Sequence, residues 1–207
     1  MASKGKQSRA PVRTGRRPGP NRTRAAILDA ARAAFAERGY DAVSIRAVAR
    51  AAGVDPALVH RFFGSKEELF AAAMELPISP GQLVPALLAD GVEDLGERLV
   101  RTFLELFDRP AAFAPFLALI RGAVSNEQAA ALLREFLTRE VLGRLAAAAS
   151  PDRPELRASL AGSQVVGLAM ARYVVRVPPL AGTDRETVVA CVGPTIQRYL
   201  TGELPAG

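Results

Sequence analysis

The sequence predicts an all-α protein, with short helices near the N-terminus and longer ones after them. Three observations carry this. Alanine and leucine dominate and runs of β-branched residues are short, which favours helix over strand. Apolar residues recur at i, i+3, i+4 and i+7 in one segment after another. Glycine and proline punctuate the chain at helix-length intervals, with no internal repeat and no strand-turn-strand pattern. At 207 residues and 49% hydrophobic composition, the chain can bury a sizeable core as one large domain or two small ones.

The elements follow in order. Residues 1–20 are rich in Arg, Gly, Pro and Ser without periodicity, and are expected to form a disordered basic tail. Across 22–38, Ile27, Leu28, Ala31, Ala34 and Phe35 share one helical face, and Gly39 stops the helix. Ser44 is a candidate N-cap for a short second helix with Ile45, Val48, Ala49 and Ala52 on its apolar face; Gly53 ends it. Asp55-Pro56 opens a third helix with an N-cap acid and a first-turn proline. That helix is about two turns long, because Gly64 intervenes. Ser65 to Glu68 reads as a capping box for a fourth helix running through Leu69, Phe70 and Met74 to Pro77. "PISPGQ" (77–82) reads as a loop. Further helices are expected at 83–89, 92–107, 111–123, 126–148, 154–176 and 184–200. Breaks fall at Gly91, Arg109-Pro110, Ser150-Pro151 and Pro178-Pro179. The last helix opens with a second capping box, Thr183 to Glu186, and Pro194 is expected to kink it.

The charge is unevenly placed. Net charge is +6, and eight of the 27 basic residues but none of the 21 acidic ones precede residue 25. The remainder therefore holds 19 basic against 21 acidic side chains, a near-neutral body behind a basic tail. Such a tail suits a polyanion, nucleic acid ahead of an anionic membrane surface. The single cysteine, Cys191, excludes an intramolecular disulfide and a Cys-rich zinc site, and its apolar neighbours place it in the core. No apolar run reaches the roughly 20 residues that span a bilayer, and no signal peptide is evident, so a cytoplasmic protein is expected.

Two short helices joined by a glycine turn, with a longer helix before them, make a helix-turn-helix, whose second short helix enters the DNA major groove. On a helical wheel of 56–63, Val59, Phe62 and Phe63 turn inward. Ala57, His60, Arg61 and Gly64 form the opposite stripe, which is small and polar and carries a cation. Lys66 stands at a helix start, where the macrodipole disfavours a cation by a few tenths to ~1 kcal/mol unless an anion is near. Free backbone N–H groups at that end bind phosphate, so Lys66 reads as a phosphate site. His60, the chain's one histidine, reads as a phosphate donor through a ring nitrogen. Singly, Lys66 as partner of a nearby acid and His60 as an ordinary surface residue fit equally well; with the cap pattern, turn and tail, the DNA reading prevails.

"SIRAVARAAGVDPALVHRFFGSKEELF" (44–70), preceded by "ILDAARAAFAERGYDAV", resembles the DNA-binding domain of TetR-family transcriptional regulators. His60 is a departure, since the family usually has tyrosine there. The resemblance implies phosphate contact by Ser44 and Lys66, base reading or phosphate contact by Arg46, and groove-facing or groove-edge positions for Asp55, Ala57, Leu58 and Arg61. It implies a helix-turn-helix domain at 21–68 and a helical ligand-binding and dimerisation domain at 69–207. The segment from "LVRTFLELFDRPAAFAPFLALIRGAVSNEQ" to "GLAMARYVVRVPPLAG" is similar to a TetR C-terminal subtype common in high-GC actinobacteria, which fits 24 Arg against 3 Lys.

The resemblance further implies a homodimer through the last two helices, with Gly162, Gly167 and Ala171 allowing close approach; the alternative is that these small residues only pack within one subunit. The two reading heads would then sit roughly 34–36 Å apart, or at a related spacing. Phe103, Phe107, Phe113, Phe116, Phe136, Met170 and Tyr173 are the candidate lining of an effector pocket, although aromatic residues at helical spacing more often build ordinary core. Few charges interrupt those faces, so a small, largely apolar effector is expected to release a palindromic operator, with repression the family's usual mode. No cofactor is expected. Neither a phosphate-cradling glycine loop nor metal-ligand spacing supports an enzyme, and one His and one Cys far apart leave little for a nucleophilic dyad. A helical scaffold with a membrane-binding tail is the other rival, separated from DNA binding by vesicle flotation.

Overall fold

The computed structural model describes residues 20–205 apart from 77 and 151; the side chains of 110–113 and 115 also lie outside it. All but the last residue of the predicted tail falls outside this range. Every described element is helical.

The first four helices are α1 (Pro20–Arg38), α2 (Ile45–Ala52), α3 (Pro56–Phe63) and α4 (Lys66–Ala73). Ser44 caps α2 by accepting from the Ala47 N–H at 3.2 Å, and Asp55 caps α3 by accepting from the Ala57 N–H at 2.8 Å. Between them Gly53 adopts φ +66, a left-handed conformation that an L side chain resists, and this reverses the chain within a few residues. Ser65 caps α4 through the Glu68 N–H. The predicted box does not close, however: the Glu68 carboxylate takes a hydrogen bond from Ser79 Oγ at 2.6 Å instead. Ile27, Phe35, Tyr40, Val48, Val59, Leu69 and Phe70 form the buried centre of this unit. Full burial of Phe35 and Phe70 contributes about 1.5–3 kcal/mol each.

The larger part contains α5 (Pro80–Leu88), α6 (Leu95–Phe107), α7 (Pro110–Gly122), α8 (Glu127–Glu135), α9 (Leu142–Ala149), α10 (Pro154–Ala169) and α11 (Arg185–Thr201). Three sequence expectations change here. Pro80 begins α5 rather than belonging to a loop, because proline suits a first helical turn. Asp184, not Thr183, caps α11 by accepting from the Thr187 N–H at 2.9 Å, while Glu186 reaches across to Arg101 at 2.8 Å. The helix expected over 126–148 is interrupted by a π-turn at Phe136–Val141, closed by the Leu142 N–H on the Leu137 carbonyl, five residues back. A second π-turn, Met170–Val174, extends α10.

Gly143 makes the first π-turn possible. A Cβ there would stand 1.8 Å from the Thr138 carbonyl oxygen, closer than any side-chain atom fits. Crossing of α6 and α11 depends on another pair: a Cβ on Gly96 would stand 2.3 Å from the Gly193 carbonyl oxygen. Gln197 ties that crossing, accepting from the Gly96 N–H at 2.7 Å and donating to the Val92 carbonyl at 2.9 Å. The buried Arg157 binds Asp152 through two guanidinium nitrogens and donates to the carbonyls of Tyr199 and Gly202, joining the start of α10 to the end of α11.

Candidate nucleic-acid interface

α3 buries Val59 and Phe63 and half-buries Phe62 against the core, which leaves Ala57, His60, Arg61 and Gly64 exposed along one side. That is the stripe expected from the helical wheel. Ser44 and Arg46 are exposed on the preceding capped turn; Asp55 is exposed and Leu58 half-buried. Among the described residues neither Arg46 nor Arg61 makes an ion pair. Arg24 of α1 lies over the Phe63 ring at 5.4 Å, a second cation beside the α3 end. Ser44, Arg46, Asp55, Ala57, Leu58 and Lys66 thus lie on the capped first turns of α2, α3 and α4, and His60 and Arg61 on the last turn of α3.

Two of them sit differently from the sequence expectation. His60 Nδ1 is 2.9 Å from the Gly64 carbonyl oxygen, so Nδ1–H donates inward and Nε2 faces out. In the neutral ring that outward nitrogen accepts rather than donates. Lys66 does not stand free at the start of α4. Its ammonium lies 4.3 Å from the centroid of the Tyr40 ring and donates to the Asp41 carbonyl at 3.2 Å. The cation–π contact and the carbonyl offset the macrodipole penalty within the protein itself. Tyr40 is 2% exposed, and its hydroxyl makes no well-aligned hydrogen bond among the described residues, with the Glu140 carboxylate its near polar neighbour. Burial first, then the negative charges of Glu140 and Glu67, push its pKa well up, so it remains a neutral ring under the cation. The Ser65 hydroxyl in turn holds the Glu67 carboxyl below its ordinary value.

The larger part contains a partly open cavity of about 70 Å³. Of the candidate effector-pocket residues, Phe103, Phe107, Phe116 and Phe136 line it. Tyr173 does not: its ring packs on Phe107 at 5.2 Å and its hydroxyl donates to Asp108 at 2.8 Å, behind the lining. Burial, then that carboxylate, raises the Tyr173 hydroxyl to about 12. Met170 is also absent from the lining, half-buried in the second π-turn against the core. The Phe113 side chain lies outside the described residues. Most of the wall is aliphatic, including Leu76, Leu83, Leu99, Leu137 and Val165, and Thr102 is the one polar side chain among the described lining residues. Those aliphatic positions carried no signal beyond ordinary core patterning.

The aromatic rings join the two parts. Phe35 meets Phe70 at 5.0 Å, Phe70 meets Phe136 at 4.8 Å, and Phe136 meets Phe116 at 6.0 Å. Beside this ladder, Glu135 accepts from the Asp41 N–H at 2.8 Å and Arg139 pairs with the Asp41 carboxylate at 2.5 Å. Among the described residues no cluster of His, Cys, Asp and Glu could hold a metal ion, and no helix is long and apolar enough to cross a membrane.

A glycine-turned pair of short helices with an exposed, cation-bearing outer face, joined to a helical body with an apolar cavity, defines a DNA-binding regulator with a ligand-binding domain. Residues 27–73 match the model described as bacterial regulatory proteins, tetR family, and residues 93–200 match that of the tetracyclin repressor-like C-terminal domain. The second match covers just over half of the chain, and the protein belongs to the TetR family of transcriptional regulators. Over 51 residues the chain is 47% identical to the HTH-type transcriptional regulator BetI of Rhizobium meliloti (strain 1021), a match spanning 25% of each protein. A TetR-family regulator from Streptomyces coelicolor A3 is 41% identical, covering 90% of this chain and 98% of that one, with a TM-score of 0.45. NalD, the secondary repressor of the MexAB-OprM multidrug efflux pump in Pseudomonas aeruginosa, is 22% identical over 89% of this chain and 99% of its own, with a TM-score of 0.43.

Proposed function

We propose that the protein is a cytoplasmic repressor that binds a palindromic operator as a homodimer and is released by a small, largely apolar effector. In this reading the unit at 21–68 reads DNA and 69–207 senses ligand and dimerises. Ala57 and Arg61 face base edges, with Arg61 as the specificity-bearing cation. Ser44, His60 and Lys66 contact phosphates. Asp55 and Leu58 frame the groove edge, and Arg46 reaches base or backbone from α2. The exposed stripe on α3 is the observation that carries the DNA assignment.

The dimer is assigned to the outer faces of α10 and α11. A Cβ on Gly167 meets nothing within 4 Å, and Ala190, Cys191 and Pro194 are exposed, so small side chains cover a face open to a second helix pair. The exposed Cys191 corrects the expectation of a core cysteine. Gly162, by contrast, packs inside the subunit, where its Cβ would meet Leu142 at 3.0 Å.

The effector reading rests on the cavity wall. Among the described lining residues there is one hydroxyl and no charge, which favours an apolar ligand with at most one polar handle. A space of about 70 Å³ is below the roughly 150 Å³ that holds benzene in an engineered protein cavity. A larger ligand must part the walls, and that differential fit is the energy available to shift the DNA-binding unit. The test is a gel shift and footprint on the protein's own upstream DNA with a panel of apolar compounds. Protection of a palindrome, lost on adding a cavity-binding compound, is the expected result. Tight binders that leave DNA affinity unchanged would refute the switch.

A further inference from the structure

We propose that Glu135 and Arg139 are positioning residues for Lys66, and that their π-turn is the element through which the cavity governs DNA affinity. This rests on the DNA-binding reading given above, in which Lys66 contacts phosphate.

The π-turn at Phe136–Val141 has two working sides. Phe136, Leu137 and Val141 face the cavity and form part of its wall. Just before the turn and within it, Glu135 and Arg139 reach the loop between α1 and α2. Glu135 accepts from the Asp41 N–H and Arg139 pairs with the Asp41 carboxylate, so one residue is held by its backbone and its side chain at once. The carbonyl of that same Asp41 receives the Lys66 ammonium, whose other face lies on Tyr40. Three short polar contacts thus run from the cavity wall to the lysine: Arg139 and Glu135 to Asp41, and Asp41 to Lys66. An ammonium has three donors. With one on the Asp41 carbonyl and one face on the ring, it remains able to donate outward from a fixed place, which lowers the ordering cost of a phosphate contact.

The π-turn is also the part of this helix whose geometry a ligand can change. It depends on Gly143, because the displaced Thr138 carbonyl occupies the space of a Cβ. A wedge in the cavity presses on Phe136, Leu137 and Val141, and a shift of the turn carries Glu135 and Arg139 with it. Asp41 then loosens and Lys66 loses its seat. Arg139 is 62% exposed and Asp41 36%, so the ion pair is weakly stabilising and the link is modest by design.

The test uses the full chain and a fluorescein-labelled duplex that the wild-type protein selects from a random-sequence pool. Dissociation constants are measured across a salt series for wild type, Lys66→Ala, the pair Glu135→Ala with Arg139→Ala, and the triple variant. The latch pair is expected to weaken binding about two- to fivefold and to make the salt slope shallower. Adding Lys66→Ala to it should give little further loss, because both changes remove one contact. Arg139→Lys should restore most of the affinity, as should Asp41→Arg combined with Arg139→Asp. A second arm fills the cavity with Val165→Phe, or Leu99→Phe if the first variant melts below the assay temperature. Either wedge should reduce affinity in the wild type and have a smaller effect when the latch is cut. Additive losses with Lys66→Ala, or a wedge effect equal in both backgrounds, would overturn the latch while leaving the regulator reading intact. A wild-type protein that binds no duplex at any salt would overturn both.

Discussion

His60 Nδ1 and the Gly64 carbonyl oxygen stand 2.9 Å apart, across one turn at the end of α3. A carbonyl only accepts, so the proton is on Nδ1, and the outward Nε2 of the neutral ring is a lone pair. Facing a phosphate, that nitrogen can donate only when the ring is charged.

His60→Tyr supplies a neutral hydroxyl donor in place of that lone pair and is expected to tighten duplex binding by about two- to tenfold. Anisotropy titrations of the two proteins at fixed ionic strength check this; unchanged affinity removes the phosphate role from His60.

Arg61 and Lys66 should fail in different ways. Losing a groove-facing arginine is expected to cost about 1–3 kcal/mol on the selected operator and to relax preference at one base pair. Lys66→Ala should weaken operator and random duplex alike and reduce the salt slope by about 0.9 per lost contact. Parallel titrations on the two duplexes separate them. Equal loss on both by Arg61→Ala would move that residue to the backbone class.

Gly96 and Gly167 make a matched comparison. A methyl on Gly96 collides with the backbone of α11 at Gly193 and Gln197, so Gly96→Ala should lower stability by about 1–3 kcal/mol or more. At Gly167 a methyl has open space within the subunit, and helix propensity favours alanine there by up to about 1 kcal/mol. Any loss in Gly167→Ala should then appear as weaker dimerisation. Thermal melts at two protein concentrations, with sedimentation, distinguish the cases.

Acid should loosen the join of α10 and α11. Hydrogen bonds from Arg157 first, and then from Ser150, hold the Asp152 carboxyl at about 2. Its folded value is below the unfolded one, so the stabilisation is present above about pH 4 and is lost as pH falls toward about 2. Asp152→Asn should be less stable than wild type at pH 7, with the difference shrinking on acidification. Denaturant midpoints over that range check the sign.

Much of the small N-terminal unit was legible because its signals are local. Ser44, Asp55 and Ser65 announce helix starts, Gly53 marks the reversal, and the spacing of Val59 and Phe63 fixes which side of α3 turns outward. Where a signal requires a partner elsewhere in the chain, the local pattern misleads. Glu68 fits a capping box, but Ser79 takes its carboxylate. Lys66 looked unpaired because its partners, Tyr40 and Asp41, lie 25 residues or so earlier. Aromatic spacing points to a ring-lined pocket, yet aliphatic side chains form most of the cavity wall.

By itself the sequence determined the helices of the N-terminal unit, the bend at Gly53, the outward stripe of α3 and membership of a family, since capping and periodicity act over a few residues. Tertiary structure alone decided where Lys66 rests and that a π-turn stands between cavity and DNA-binding unit. Those outcomes come from packing between segments up to 94 residues apart, such as Asp41 and Glu135, where no local propensity operates. Gly143 shows the boundary between the two: the sequence displays a glycine inside a helix, and only the displaced Thr138 carbonyl reveals why it must be one.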